Sequence, residues 1–107
     1  MGRPDPGMTL QKLRFAVAAA DKQSFLAAAD LCCVVPECVS VGIMSLEREL
    51  GCKLFERLRN GRKGGRVRVT PIGEEVIALA RQTLELAQGI KDTAKRHHHQ
   101  QRDSETQ

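Results

Sequence analysis

Six of the chain's 17 basic side chains, and none of its 13 acidic ones, fall between Arg57 and Arg68 in the run R-L-R-N-G-R-K-G-G-R-V-R. The remainder carries 11 basic against 13 acidic residues and sums to −2. Charge this localised suits a polyanion, because guanidinium and ammonium groups pair with phosphate oxygens and release their counterions. A glycine-rich tip, Asn60-Gly61 to Gly64-Gly65, separates two short alternating stretches, the pattern of a β-hairpin holding basic side chains out from a folded body. With residues 57–58 and 66–69 as paired strands, alternation sends the side chains to opposite faces. Arg59, Arg62, Lys63 and Arg66, nearest the tip, are the favoured phosphate or minor-groove contacts, with Arg57 and Arg68 at the root.

Other reactive residue types form no comparable constellation. Cys32, Cys33, Cys38 and Cys52 lie in a stretch that reads as helical, unlike the loop-rich framework of a small disulfide protein. Asp30 and Glu37 nearby disfavour a thiolate, so buried small apolar residues are the preferred reading over a thiol switch. His97-His98-His99 sits in a polar tail with no Cys or carboxylate spaced to complete a metal site. No metal or cofactor is expected. The Gly61-Arg62-Lys63-Gly64 tip matches the G-x-x-G of RNA-binding KH domains, but its flanks read as strands rather than helices. No Gly-Lys-Ser/Thr of a P-loop occurs, and no nucleophile, base and orienter are grouped, so an enzyme is not expected.

The elements that must position the basic run follow from local chemistry. One domain fits 107 residues, with a partner subunit as a source of further burial. The 41% apolar fraction is nearly all aliphatic, with three Phe and neither Trp nor Tyr. No apolar run reaches the roughly 18 residues of a membrane span, and a soluble, cytoplasmic protein is expected. Residues 1–8, with Pro4, Pro6 and Gly7, read as a disordered leader. Thr9 is an N-cap for a first helix with Leu10, Leu13, Val17 and Ala20 on one face. Ser24 caps a short second helix whose inner face is Phe25, Ala28, Ala29 and Cys32. Pro36 stands in the first turn of a third helix that ends at Gly51 and buries Val39, Ile43, Leu46 and Leu50.

Two helices joined by a three- or four-residue turn and followed by a basic hairpin outline a winged helix-turn-helix. The expected fold is mainly α with a small β-hairpin, spanning residues 9–70. The S-F-x-x-A-A at Ser24 to Ala29, V-S-x-x-I-x-x-L-E-x-E-L-G at Val39 to Gly51, L-F-E-R at Leu54 to Arg57 and T-P-x-G-E at Thr70 to Glu74 occur in an order that resembles the N-terminal domain of LysR-type transcriptional regulators. That resemblance implies a DNA-binding regulator of transcription acting on double-stranded DNA, with the third helix in the major groove.

On that helix Pro36, Glu37, Ser40, Val41 and Met44 are the candidate DNA-facing residues. The helix is poor in the Arg, Asn and Gln side chains that give bidentate base contacts. Ser40 can bond a base edge or a phosphate, and Val41 and Met44 can touch thymine methyl groups. Glu37 reads either as an acceptor for a cytosine amino group or as a first-turn acid favouring the helix dipole. The wing is longer than is usual in the family, and its glycine-rich tip looks more like that of ModE-type molybdate-responsive regulators. No small-molecule effector domain follows in this chain.

Thr70-Pro71 opens a long helix expected over residues 71–96, ahead of a disordered polar tail, 97–107. Ile72, Val76, Leu79, Thr83, Leu86 and Ile90 recur as a heptad seam. A second row, Ile77, Ala80, Leu84 and Ala87, can pack on the first helix. Two apolar rows need two surfaces, and the first is therefore expected to pair two copies as a homodimer. The alternative is a protein-interaction module that keeps this fold and docks a partner on its apolar second and third helices.

Overall fold

The computed structural model describes residues 7–58 and 65–105, the stretch 99–105 by backbone alone. Its element order is α1 (Leu10–Lys22), α2 (Phe25–Cys32), α3 (Pro36–Leu50), β1 (Phe55–Arg57), β2 (Val67–Val69) and α4 (Pro71–Glu105). This is the winged helix-turn-helix outline, mainly α with one antiparallel hairpin. Thr9 and Ser24 cap α1 and α2 by accepting bonds from the backbone N–H groups of Lys12 and Ala27. Both first helices end on a left-handed residue, Gln23 and Cys33. Val35 precedes α3 without a side-chain cap, and Pro36 at the first turn supplies the start instead.

Val39, Ile43 and Leu46 of α3, with Leu54 just beyond it, are the largest fully buried side chains. Around them pack Leu13, Phe15, Ala16, Ala18 and Ala19 of α1 and Phe25, Ala28 and Ala29 of α2. Two expected core residues, Leu10 and Leu50, are instead 39% exposed. Each stands at an end of its helix, where the stripe runs past the packing surface. The inner face of α1 keeps Leu13 of the expected row and adds Phe15 and the alanines, with Val17 and Ala20 half-buried at its edge. At Gly42 an added Cβ would lie 2.8 Å from Phe15 Cδ2, so hydrogen alone lets α1 and α3 approach this closely.

The hairpin pairs Phe55 with Val69, Glu56 with Arg68 and Arg57 with Val67. Its first strand begins two residues earlier than the expected 57–58, because Phe55 is buried and anchors it. Glu47 Oε2 accepts from the N–H groups of both Leu54 (2.8 Å) and Phe55 (3.2 Å), fixing the hairpin to the end of α3. The other edge of β2 meets the α1–α2 junction. Val67 N donates to Gln23 O, Phe25 N donates to Gly65 O, and Ser24 bridges Arg66.

Thr70 caps α4, accepting from Gly73 N and donating to Lys53 O. Ile77 and Ala80 join the core and Leu84 packs on it, as the second-row pattern implied. The helix continues past Arg96 to Glu105, through residues whose composition predicts a disordered polar tail. Neither Gly nor Pro occurs between Ile90 and Glu105, so nothing in the chain stops it. The leader is likewise ordered at its end: Gly7 is buried, and its carbonyl accepts from Lys12 Nζ at 2.6 Å. No single described helix is long and apolar enough to cross a membrane; α2 and α3 reach that length only as a pair bent by 108°.

Candidate nucleic-acid interface

The 108° bend places α3 across α2 in the range of DNA-binding helix-turn-helix units. A left-handed Cys33 makes the turn possible in three residues, with its N–H held by the carbonyls of Ala29 and Asp30. Since Val39, Ile43 and Leu46 point inward, Glu37, Ser40, Val41 and Met44 share the opposite side of α3. Val41 is 65% and Met44 49% exposed, and Pro36 and Glu37 are also open to solvent. Glu37, Ser40, Val41 and Met44 therefore lie at one surface, with Pro36 at the open first turn.

Arg57 connects that surface to the hairpin. Its guanidinium lies 5.1 Å from the centroid of the Phe25 ring, and its Nη2 donates to Ser40 Oγ at 3.1 Å. Phe25 in turn meets Phe55 edge to face, with ring centroids 5.6 Å apart. One arginine thus touches α2, α3 and the root of the wing together, at an energy of about 0.5–1 kcal/mol for an exposed cation–π contact. Arg68 stands on the other face of the hairpin, opposite Glu56, at 3.6 Å and with both side chains largely exposed. Such a pair is worth about 0–1 kcal/mol and leaves Arg68 free to exchange partners. Arg66 is exposed at the start of β2. Arg59, Arg62 and Lys63 lie outside the described residues. The strand register thus separates Arg57 from Arg68, as alternation required.

Along α4 the expected pairing face is open: Ile72 is 44%, Leu79 62%, Leu86 72% and Ile90 71% exposed. Thr83 is exposed and returns its hydroxyl proton to Leu79 O at 2.9 Å. Val76 departs from the row, being half-buried against its own core. The cysteines are not the buried residues expected: Cys33 and Cys38, at the turn into α3, are exposed, and Cys32 and Cys52 are half-buried. Burial and the neighbouring Cys33 push the Cys32 thiol up, against a smaller lowering by Arg14, so its thiolate is disfavoured.

Two contributors escaped the sequence reading. The Gln23–Ser24 backbone forms a third edge for the wing, and an N-cap residue is extended by nature, so Ser24 carried a usable signal. Glu47, the clamp on β1, carried none, since its partners are set by the tertiary fold.

The family model of bacterial regulatory helix-turn-helix proteins, lysR family, matches residues 10–74. The transcriptional regulator EstR of Acinetobacter baylyi is 40% identical over 82 residues, covering 77% of this chain and 26% of EstR. A full-length OxyR variant from Pseudomonas aeruginosa superposes with a TM-score of 0.74 at 44% identity, over 82% of this chain and 28% of that one. The DNA-binding domain of BenM in complex with benA site 1 DNA superposes with a TM-score of 0.73 at 35% identity, over 83% and 94%. The chain thus spans about a quarter of the length of the curated relative EstR and nearly all of the BenM domain. These matches give no support to the ModE-type likeness of the wing tip. The matched stretch takes in the helices, the hairpin and the first turn of α4, and the chain belongs to the lysR family of bacterial regulatory helix-turn-helix proteins.

Proposed function

We propose that this chain binds double-stranded DNA as a homodimer and regulates transcription, in the cytoplasm and without catalysing a reaction. The exposed side of α3 enters the major groove, the basic wing contacts phosphates or the minor groove, and α4 pairs two subunits through Ile72, Leu79, Leu86 and Ile90. The observation that carries this reading is the junction at Arg57, which joins the exposed face of α3 to the base of the basic hairpin. The likeness to a BenM domain solved with DNA supports it. Two wings at a fixed separation fit a two-fold symmetric operator.

Duplex titrations at about 50 and 200 mM salt test the reading, with an expected log–log slope of about −0.9 per phosphate contact. A flat response removes it. A second reading, a protein-interaction module on the same fold, draws on Leu26, Leu31 and Val35, which are 42%, 56% and 58% exposed beside α3. Under that reading Val41→Ala with Met44→Ala abolishes capture of a protein partner and leaves duplex binding unchanged.

A further inference from the structure

We propose that α3 reads thymine through its C5 methyl group, with Val41 and Met44 as the residues that set sequence preference. The proposal rests on the DNA-binding reading above and adds what the interface recognises. From Pro36 to Ser45 the helix has no Arg, Lys, Asn or Gln, so the forked contacts to guanine and adenine have no source there. Ser40, the hydroxyl on the exposed face, already accepts from Arg57. Glu37 accepts only, which suits a cytosine amino group and is indifferent to a thymine methyl.

Two large apolar side chains remain, at 65% and 49% exposure, three residues apart and therefore neighbours on one face. In the major groove the matching apolar group is the thymine methyl. Their surroundings favour DNA over an apolar protein surface. The Arg57 guanidinium sits beside the same face, bonded to Ser40, a cation placed to pair with a phosphate at the edge of the groove these side chains would enter. Burying a methyl between Val41 and Met44 removes apolar surface from water on both partners.

The experiment begins with selection from a randomised duplex library by the full chain. The enriched duplex is then compared with copies carrying deoxyuridine at each enriched thymidine, a change that deletes only the methyl. Binding is expected to weaken about fourfold per contacted methyl, the equivalent of about 0.8 kcal/mol, with an unaltered salt slope. The Val41→Ala, Met44→Ala variant is expected to melt like the parent, since both side chains face solvent, and to bind the two duplexes equally. Failure to enrich thymine, equal binding of both duplexes by the parent, or a variant that still prefers thymine overturns the inference. A chain that binds duplexes with steep salt dependence yet ignores the methyl sinks this inference alone. One that binds no duplex sinks the DNA-binding reading with it.

Discussion

Helix α3 and the hairpin meet at Arg57 and at the Glu47 clamp, yet their exposed faces are built from opposite chemistry. The outward side of α3 offers Val41 and Met44, while the hairpin offers Arg57, with Arg66 and Arg68, and the sequence between its strands adds Arg59, Arg62 and Lys63. A helix this apolar makes little long-range attraction, and a wing this basic discriminates poorly between bases. In the proposed DNA-binding reading the contrast separates affinity from sequence preference: the wing would hold the polyanion, and the helix would respond to what lies in the groove.

The comparison can be broken most decisively by uncoupling the two subunits of the proposed dimer. Leu79→Glu with Leu86→Glu is expected to sediment as a monomer and to lose apparent affinity by about 10²–10⁴, the gain that tethered sites provide. A dimer that persists puts the pairing surface elsewhere. Next in size, replacing Arg59, Arg62, Lys63 and Arg66 by Ala should flatten the salt slope by about 0.9 per lost phosphate contact while preserving the order of preference among duplexes. If that order collapses and the slope stays, the division of labour is reversed.

Smaller effects sharpen the junction between the regions. Glu47→Ala leaves the N–H groups of Leu54 and Phe55 without their acceptor. It should lower stability by about 1–3 kcal/mol in a denaturant titration. The same change should loosen the hairpin relative to α3, seen as faster amide exchange at Leu54 and Phe55. Glu56→Gln has the smallest expected effect. It frees Arg68 from its cross-strand partner and should tighten duplex binding by an amount within the range of about 0–1 kcal/mol typical of an exposed pair. Weaker binding would mean that the pair orients Arg68 rather than restraining it.

Much of this architecture was legible because punctuation residues act locally. Thr9, Ser24, Pro36, Gly51 and Thr70 each mark a helix end by what their own backbone or side chain does, and all five do so in the structure. The α1 face is only partly legible, missing Phe15 and over-reaching at Leu10, because its middle, F-A-V-A-A-A, is apolar throughout and gives periodicity no contrast. Burial then follows the neighbours, and the close approach at Gly42 accommodates Phe15. The strand boundary slipped for a similar reason, since the buried Leu54-Phe55 pair and the Glu47 clamp depend on packing across the fold. That Glu37, Ser40, Val41 and Met44 share one side of α3 follows from helical spacing. The Arg57–Ser40–Phe25 junction joins residues far apart in the chain and had no local signature.

Amide chemical-shift mapping of the full chain during titration with a selected duplex tests the central claim most directly, because it asks whether both regions meet the same DNA. The account predicts that the largest changes fall together on residues 36–44 and 57–68, with α4 beyond Ala87 unmoved. Changes confined to the hairpin, with α3 silent at saturation, would contradict it.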